Sequence, residues 1–283
     1  MWVTNETPDL TWTLTDSLGG ATWIPRASIS NLTNGKPRVG VRFVRESGVL
    51  SFSLRGAWSA PSRPRVFAML GLGDEWAGRG VAIQARNAST GAYSITISNF
   101  TESIRLPDGS LAIFVIIPES AYNADVNGWQ IIAGTSAPFY TVGEVVLSTI
   151  TDWCIRRDWV ESVEKLTKQN QTVTGQPFNV PRVQRRKASV TIAPIQFSKA
   201  YSVSQVQTLQ KLQSRLSQNQ PVLVFPALRS PGLGAESAVD TDVAFAGALF
   251  GYCSNLGQIS LVDGSNLAEL KLEFTEAPAG RIV

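Results

Sequence analysis

The sequence has no histidine, only two cysteines and two methionines, and a charged fraction of 17%. Each shortage narrows the function. Without histidine the commonest general base, pH switch and metal ligand is missing, so catalysis would have to run on carboxylates, Lys, Tyr or a Ser–Lys pair. Cys154 and Cys253 are too few for a disulfide scaffold in 283 residues. They read as free, buried thiols in a reducing compartment, although the pair could also bond. A surface poor in charge must be covered by Ser, Thr, Asn and Gln or by other protein, and the second option fits an assembly subunit.

Other absences bear on location and partners. The longest apolar run, Leu111–Pro118, is too short to span a bilayer, so no membrane insertion is expected. The opening Met1-Trp-Val-Thr-Asn-Glu-Thr has neither a basic n-region nor an apolar h-region, which predicts synthesis and folding in the cytoplasm. Sequons at Asn5, Asn31, Asn87, Asn99 and Asn170 are accordingly read as unmodified. A net charge of +3 and a pI near 9 fall short of the dense basic patch of a nucleic-acid binder.

What is present is a large apolar fraction, 43%, enough to bury a sizeable core in two domains. The first half alternates with period two. In Val49-Leu-Ser-Phe-Ser-Leu54, Leu50, Phe52 and Leu54 share one face and Ser51 and Ser53 the other. Leu10–Leu14, Val39–Val44, Val66–Leu70, Val81–Ala85, Tyr93–Ile97, Trp129–Ala133 and Tyr140–Leu147 extend the series. Leu111–Ile117 is apolar throughout and reads as a central strand. Turn signals separate the strands at Asn34–Pro37, Glu46–Gly48, Pro61–Pro64, Ser89–Gly91 and Pro107–Gly109.

The pattern changes after residue 150. Leu166–Pro181 is polar and predicts an exposed connection. Ser202-Val-Ser-Gln205 has the form of a capping box, and Val203, Val206, Leu209, Leu212 and Leu216 form one stripe, predicting a helix over 203–218. Strands are expected at Ala188–Ala193, Pro221–Pro226, Val243–Tyr252, Ile259–Val262 and Leu267–Phe274. The expectation is a mainly β protein of two β-sandwich or barrel-like domains, residues 1–150 and 151–283, the second with one packed α-helix.

Candidate chemistry is sparse. Gly71-Leu-Gly73 and Gly232-Leu-Gly234 lack the frame of a phosphate loop and read as turns. Asp240 and Asp242, near Glu236, lack the ligand spacing of a calcium loop. Asp152 and Asp158 could serve as a glycosidase carboxylate pair, but pairing with Arg156 and Arg157 is the simpler reading. Trp58, Trp76, Trp129, Trp153 and Trp159 could line a sugar platform, although core and interface roles suit tryptophan better. The densest basic tract holds Arg182, Arg185, Arg186 and Lys187. It could contact phosphate, but without interleaved aromatics it fits an acidic patch on a neighbouring subunit. No cofactor, metal or catalytic site is expected, and the chain is not read as an enzyme.

The layout from Tyr140 onward resembles tailed-bacteriophage minor tail proteins, in particular distal-tail or tail-tip proteins of long-tailed phages. The resemblance rests on Tyr140–Leu147, the Trp/Arg-rich Trp153–Trp159, Gly175-Gln, Arg185–Ile192, the leucine-striped helix, Gln220–Pro226, Phe250-Gly-Tyr252 and Leu270–Glu276. It implies a structural virion protein: a homo-oligomeric ring linking the tail tube to the tip or baseplate, with neighbouring tail proteins as partners and DNA only as cargo. The alternative is a carbohydrate- or host-receptor-binding module. The loops at 166–181 and 227–242 are the expected interfaces.

Overall fold

The computed structural model describes residues 1–4, 10–14, 22–47, 51–106, 109–133, 137–153, 159–164, 167–171, 177–181, 185–196, 209–226, 241–261 and 267–277. In chain order the strands are β1 (Trp2–Thr4), β2 (Thr11–Leu14), β3 (Thr22–Pro25), β4 (Val41–Ser47), β5 (Phe52–Ser62), β6 (Val66–Leu72), β7 (Val81–Asn87), β8 (Tyr93–Thr101), β9 (Ile104–Arg105), β10 (Leu111–Ile116) and β11 (Val126–Ala133). They continue with β12 (Phe139–Val142), β13 (Glu144–Ser148), β14 (Ile150–Asp152), β15 (Val160–Glu164), β16 (Thr167–Gln171), β17 (Pro177–Pro181), β18 (Arg185–Gln196), β19 (Val222–Phe225), β20 (Leu249–Leu261) and β21 (Leu267–Glu276). Helix α1 spans Leu209–Ser217 and α2 spans Thr241–Ala246. The protein is mainly β, with one helix of more than two turns among the described residues.

The chain divides into two compact units between Ile150 and Thr151. Residues Met1–Val3 belong to the second unit, not to a domain of residues 1–150. The reason is pairing: Trp2 and Val3 lie opposite Phe225 and Val224, Met1 is buried, and Met1 O accepts from Trp153 N at 2.8 Å.

In the first unit, three sheets enclose one core: a five-stranded sheet (β2-β5-β11-β7-β8), a four-stranded sheet (β13-β6-β10-β9) and a three-stranded sheet (β12-β4-β3). Alternation aims Phe52 and Leu54 of β5, Phe67 and Met69 of β6, and Phe43 of β4 at this core. Aromatic rings join the sheets. Phe67 stacks on Trp129 at 5.6 Å, and Phe52 meets Tyr140 at 5.2 Å and Trp23 at 5.4 Å. Strand β10 lies between β6 and the two-residue β9. Ser53 is not on an open face as its alternation predicts; it is 1% exposed and accepts a hydrogen bond from Gln130.

The predicted strand Tyr140–Leu147 is broken at Gly143. Its first half, β12, pairs with β4, and its second half, β13, pairs with β6 in a different sheet. Strands that change sheets in this way form the corners of layered β folds. No side chain fits at this corner. A Cβ on Gly143 would fall inside contact distance of Pro37 O and 2.7 Å from Leu70 O. Gly71, at φ +62°, lies beneath the same Pro37 carbonyl.

The second unit is built on a seven-stranded sheet, β14-β1-β19-β20-β21-β18-β15. Trp153 is tied to the β14 edge and Val160 begins the opposite edge, seven residues later. That length of chain reaches at most about 25 Å. The edges of a flat sheet would be about 29 Å apart. The sheet must therefore curl, and Val3, Val190 and Ile192 share one core with Leu270, Leu272 and Phe274. Helix α1 packs Leu209, Leu212 and Leu216 into that core, and Gln213 donates to Gly257 O at 2.9 Å. The remainder of the predicted helix, 203–208, lies outside the described residues, with its capping box.

Two other strand boundaries differ from the sequence pattern. Thr241–Ala246 is helical, and the strand expected from Val243 begins at Leu249. Gly247 separates them, because a Cβ there would collide with the Pro226 ring. The strand expected at Ile259–Val262 is the end of β20, which runs from Leu249 and absorbs two register shifts.

Replacing Gly143 by Ala is expected to destabilise the protein by about 3 kcal/mol or more, because both obstructing atoms are backbone. Denaturant unfolding checks this, with Gly109→Ala as the control. A Cβ on Gly109 meets nothing within 4 Å, and only its φ of +84° opposes the change.

Candidate functional site

The basic tract sits on β18, next to an unusual piece of the fold. Strands β15 and β18 pair antiparallel from Val160↔Ser189 to Glu164↔Arg185. Their continuations, β16 and β17, pair from Thr167↔Pro181 to Gln171↔Pro177, with the register offset by one residue. Strands β16 and β17 thus form a separate two-stranded ribbon, inserted in the chain between β15 and β18. It has no third strand among the described residues. The predicted loop at 166–181 is therefore mostly strand.

Period-two alternation divides the tract. Arg185 is half-buried and Lys187 exposed, while Arg186 points inward and is 4% exposed. Arg186 faces Glu276 on β21. Its Nε and Nη2 donate to Glu276 Oε1 at 2.9 and 2.8 Å, its backbone N donates to Oε2 at 3.1 Å, and Nη2 also reaches Ala248 O. Both side chains are almost fully enclosed, 5% and 6% exposed. Arg186 is thus an internal clamp joining β18, β21 and the α2–β20 connection, and it is not available to a partner. Arg185 and Lys187 remain as candidate contacts. Arg182 lies outside the described residues.

The other candidates separate in the same way. Trp76, Trp129, Trp58 and Trp153 are all buried, so these rings cannot form a sugar platform. Trp76 Nε1 donates to Thr141 O at 2.8 Å and Trp58 Nε1 to Ser62 Oγ at 3.1 Å. Trp159 is half-buried and donates to Glu161. Gly71 lies near the end of β6 and Gly73 follows the strand to cap a 3-10 turn at Asp74–Trp76, not a phosphate cradle. The backbones of Asp152 and Asp242 lie in β14 and α2. Asp158, Glu236, Asp240, Gly232, Gly234 and Cys154 lie outside the described residues. Cys253 is free and half-buried, and burial pushes its thiol pKa up. No group of three metal-ligating side chains occurs among the described residues.

One buried acid escaped the sequence reading. Glu144 follows the Gly143 corner and is 4% exposed. Its Oε2 accepts from Lys36 N at 3.1 Å, and it also bonds the Gly35 backbone, pinning the Asn34–Pro37 turn. Burial pushes its pKa up to about 8, against the opposing pull of those two backbone hydrogen bonds. The available signal was a lone acid at the head of the apolar run Val145–Leu147.

Two expectations follow. Glu276→Ala leaves a buried guanidinium unpaired and is expected to cost about 3–5 kcal/mol, whereas the double change Arg186→Met with Glu276→Leu recovers most of that loss; urea unfolding of the three proteins checks both. For Glu144, the folded state holds its proton more tightly than the unfolded chain. Its contribution to stability is complete below about pH 4.5, declines as pH rises, and is lost above about pH 8. The loss is on the order of 5 kcal/mol at most. In Glu144→Gln that part of the pH dependence is expected to vanish from the melting temperature.

No protein family, curated protein or solved structure matches the chain.

Proposed function

We propose that the chain is a structural subunit of a bacteriophage tail, a ring-forming tail-tip or distal-tail protein that links the tail tube to the tip or baseplate. The observation that carries this reading is the β16–β17 ribbon. A two-stranded ribbon without a third strand or a packed face is marginally stable alone. Strand edges without a partner, as β16 and β17 have among the described residues, are templates for pairing with another chain. Pro177 and Pro181 blunt the β17 side, since proline has no N–H to offer, and leave the β16 side open. Strand β15 adds exposed Val160 and Val163, 58% and 52% exposed, on the edge of the seven-stranded sheet.

In this reading each ribbon adds a strand to the neighbouring copy, and repetition closes a ring. Arg185 and Lys187 meet an acidic patch on that neighbour, where they steer association more than they strengthen it. The mechanism is geometric and asks for no cofactor. The site of action is the virion tail tip, with DNA passing only as cargo. The alternative of a carbohydrate- or receptor-binding module built on tryptophan has no supporting geometry among the described rings.

Light scattering with negative-stain imaging tests the proposal. Closed rings are expected at high concentration or with candidate tail proteins. A variant in which residues 165–184 are replaced by a short turn is expected to stay monomeric with its thermal unfolding largely preserved. A wild-type chain that stays strictly monomeric under all of these conditions would refute the reading.

A further inference from the structure

The outer face of the five-stranded sheet in the first unit carries a polar layer, and none of its strands belongs to the ribbon. Strand register aligns Thr13, Arg55, Gln130, Gln84 and Thr96 in one row across β2, β5, β11, β7 and β8. The next row brings Gly128, Arg86 and Tyr93 side by side. Gly128 is the floor. A Cβ there would lie 2.9 Å from Gly56 O and 3.1 Å from Arg86 Cβ and Cδ, so its absence lets the Arg86 side chain lie along the sheet.

Both arginines on this face are fixed by neutral acceptors. Arg86 donates from Nε to Gly91 O and from Nη1 to Asn127 Oδ1, each at 3.1 Å. Arg55 donates from Nε to Gln130 Oε1 at 3.1 Å, and Gln130 in turn donates to the buried Ser53 Oγ at 2.8 Å. The Arg55 guanidinium lies over the Tyr93 ring, 4.6 Å from its centroid. Neither arginine forms an ion pair among the described residues. Two cations are therefore held in place with their charge uncompensated, which is the arrangement of a preorganised anion site. Burial raises the Tyr93 pKa while Arg55 and Arg86 pull it down, and the net rise keeps the phenol protonated as a donor.

We propose that this face binds an anionic saccharide, with Arg55 and Arg86 taking its carboxylate or phosphate and Tyr93, Gln84 and Thr96 taking its hydroxyls. The neighbours of the arginines decide the ligand class. Phenol, amide and hydroxyl groups can each donate and accept, as sugar hydroxyls require. A single-stranded nucleic acid would call for several stacking rings and a longer run of cations, and the described rows of this face offer the Tyr93 ring and the two arginines. An acidic peptide would seek an open strand edge for its backbone, whereas these groups stand on the face of the sheet.

The site lies in the first unit and the ribbon in the second, and the two are tested by different measurements, so either can fail without the other. Titration calorimetry of the full chain with oligogalacturonate and with phosphomannan separates a carboxylate from a phosphate ligand. Neutral dextran, polyglutamate and single-stranded DNA are the controls. Saturable binding of at least one anionic glycan is expected, with dextran inert. Arg55→Gln and Arg86→Gln are each expected to weaken binding about tenfold or more. Tyr93→Phe, which removes only the hydroxyl, is expected to weaken it less while leaving thermal unfolding unchanged. The proposal is overturned if neither glycan binds, if binding survives both arginine changes and Tyr93→Phe, or if polyglutamate or DNA binds more tightly through the same arginines.

Discussion

At Gly143 the backbone leaves one sheet and enters another, and three segments of main chain converge there. Gly143 N donates to Leu70 O at 2.9 Å, Gly71 lies alongside, and the Pro37 carbonyl presses on both glycines. One side-chain atom at this point would separate β12 from β13, or lift the Asn34–Pro37 turn off the sheet. The acid immediately after the corner completes it, because Glu144 satisfies the backbone of Gly35 and Lys36 from beneath. The aromatic contacts that close the core depend on this junction. Tyr140 enters from the strand before the corner and meets Phe52 and Trp76, while Val145 and Leu147 enter from the strand after it. The first unit is thus organised by a local exclusion of volume as well as by burial of apolar surface.

Much of the β architecture was legible in the sequence because alternation survives wherever one sheet face is buried and the other is not. Leu267–Glu276 is the clearest case, with Leu270, Leu272 and Phe274 inward as their spacing demands. Legibility failed where a backbone constraint cut across a continuous pattern. The run Tyr140–Leu147 reads as one strand, and nothing in its periodicity announces that Gly143 is a corner. Val243–Ala246 read as the beginning of a strand because short apolar runs fit either period. The ribbon was hidden for the opposite reason. Strand β16 is Thr-Lys-Gln-Asn-Gln, and β17 is punctuated by Pro177, Asn179 and Pro181, so composition pointed to a loop. Of the candidate site residues, tryptophan burial was anticipated as the simpler role, while Arg186 was grouped with its neighbours although alternation alone would have turned it inward.

The second unit sets a different problem. A sheet that begins with β14 and ends with β15, joined by so short a link, must curl, and curling brings its two edges toward each other without closing them by hydrogen bonds. An open edge is a liability unless something covers it. Here the edge strand β15 carries exposed valines, and the β16–β17 ribbon that follows it in the chain has no third strand among the described residues. In the proposed reading another copy covers edge and ribbon, and the same feature is then a cost to the isolated chain and the means of its assembly.

The arginines make the general point about reading function from charge. Arg186 belongs to the densest basic tract, yet Glu276 neutralises it and the sheet encloses it, so it works for the fold. Arg55 and Arg86 stand alone in the sequence among Leu, Gly, Ala and Asn, and no tract marks them. Their register across β5, β11, β7 and β8 brings them to one face, and their acceptors are amides and a carbonyl, which hold geometry without cancelling charge. What separates a structural arginine from a binding one is the charge of the group that holds it. That group is assigned by strand pairing over long sequence distances, which is why clustering along the chain does not reveal it.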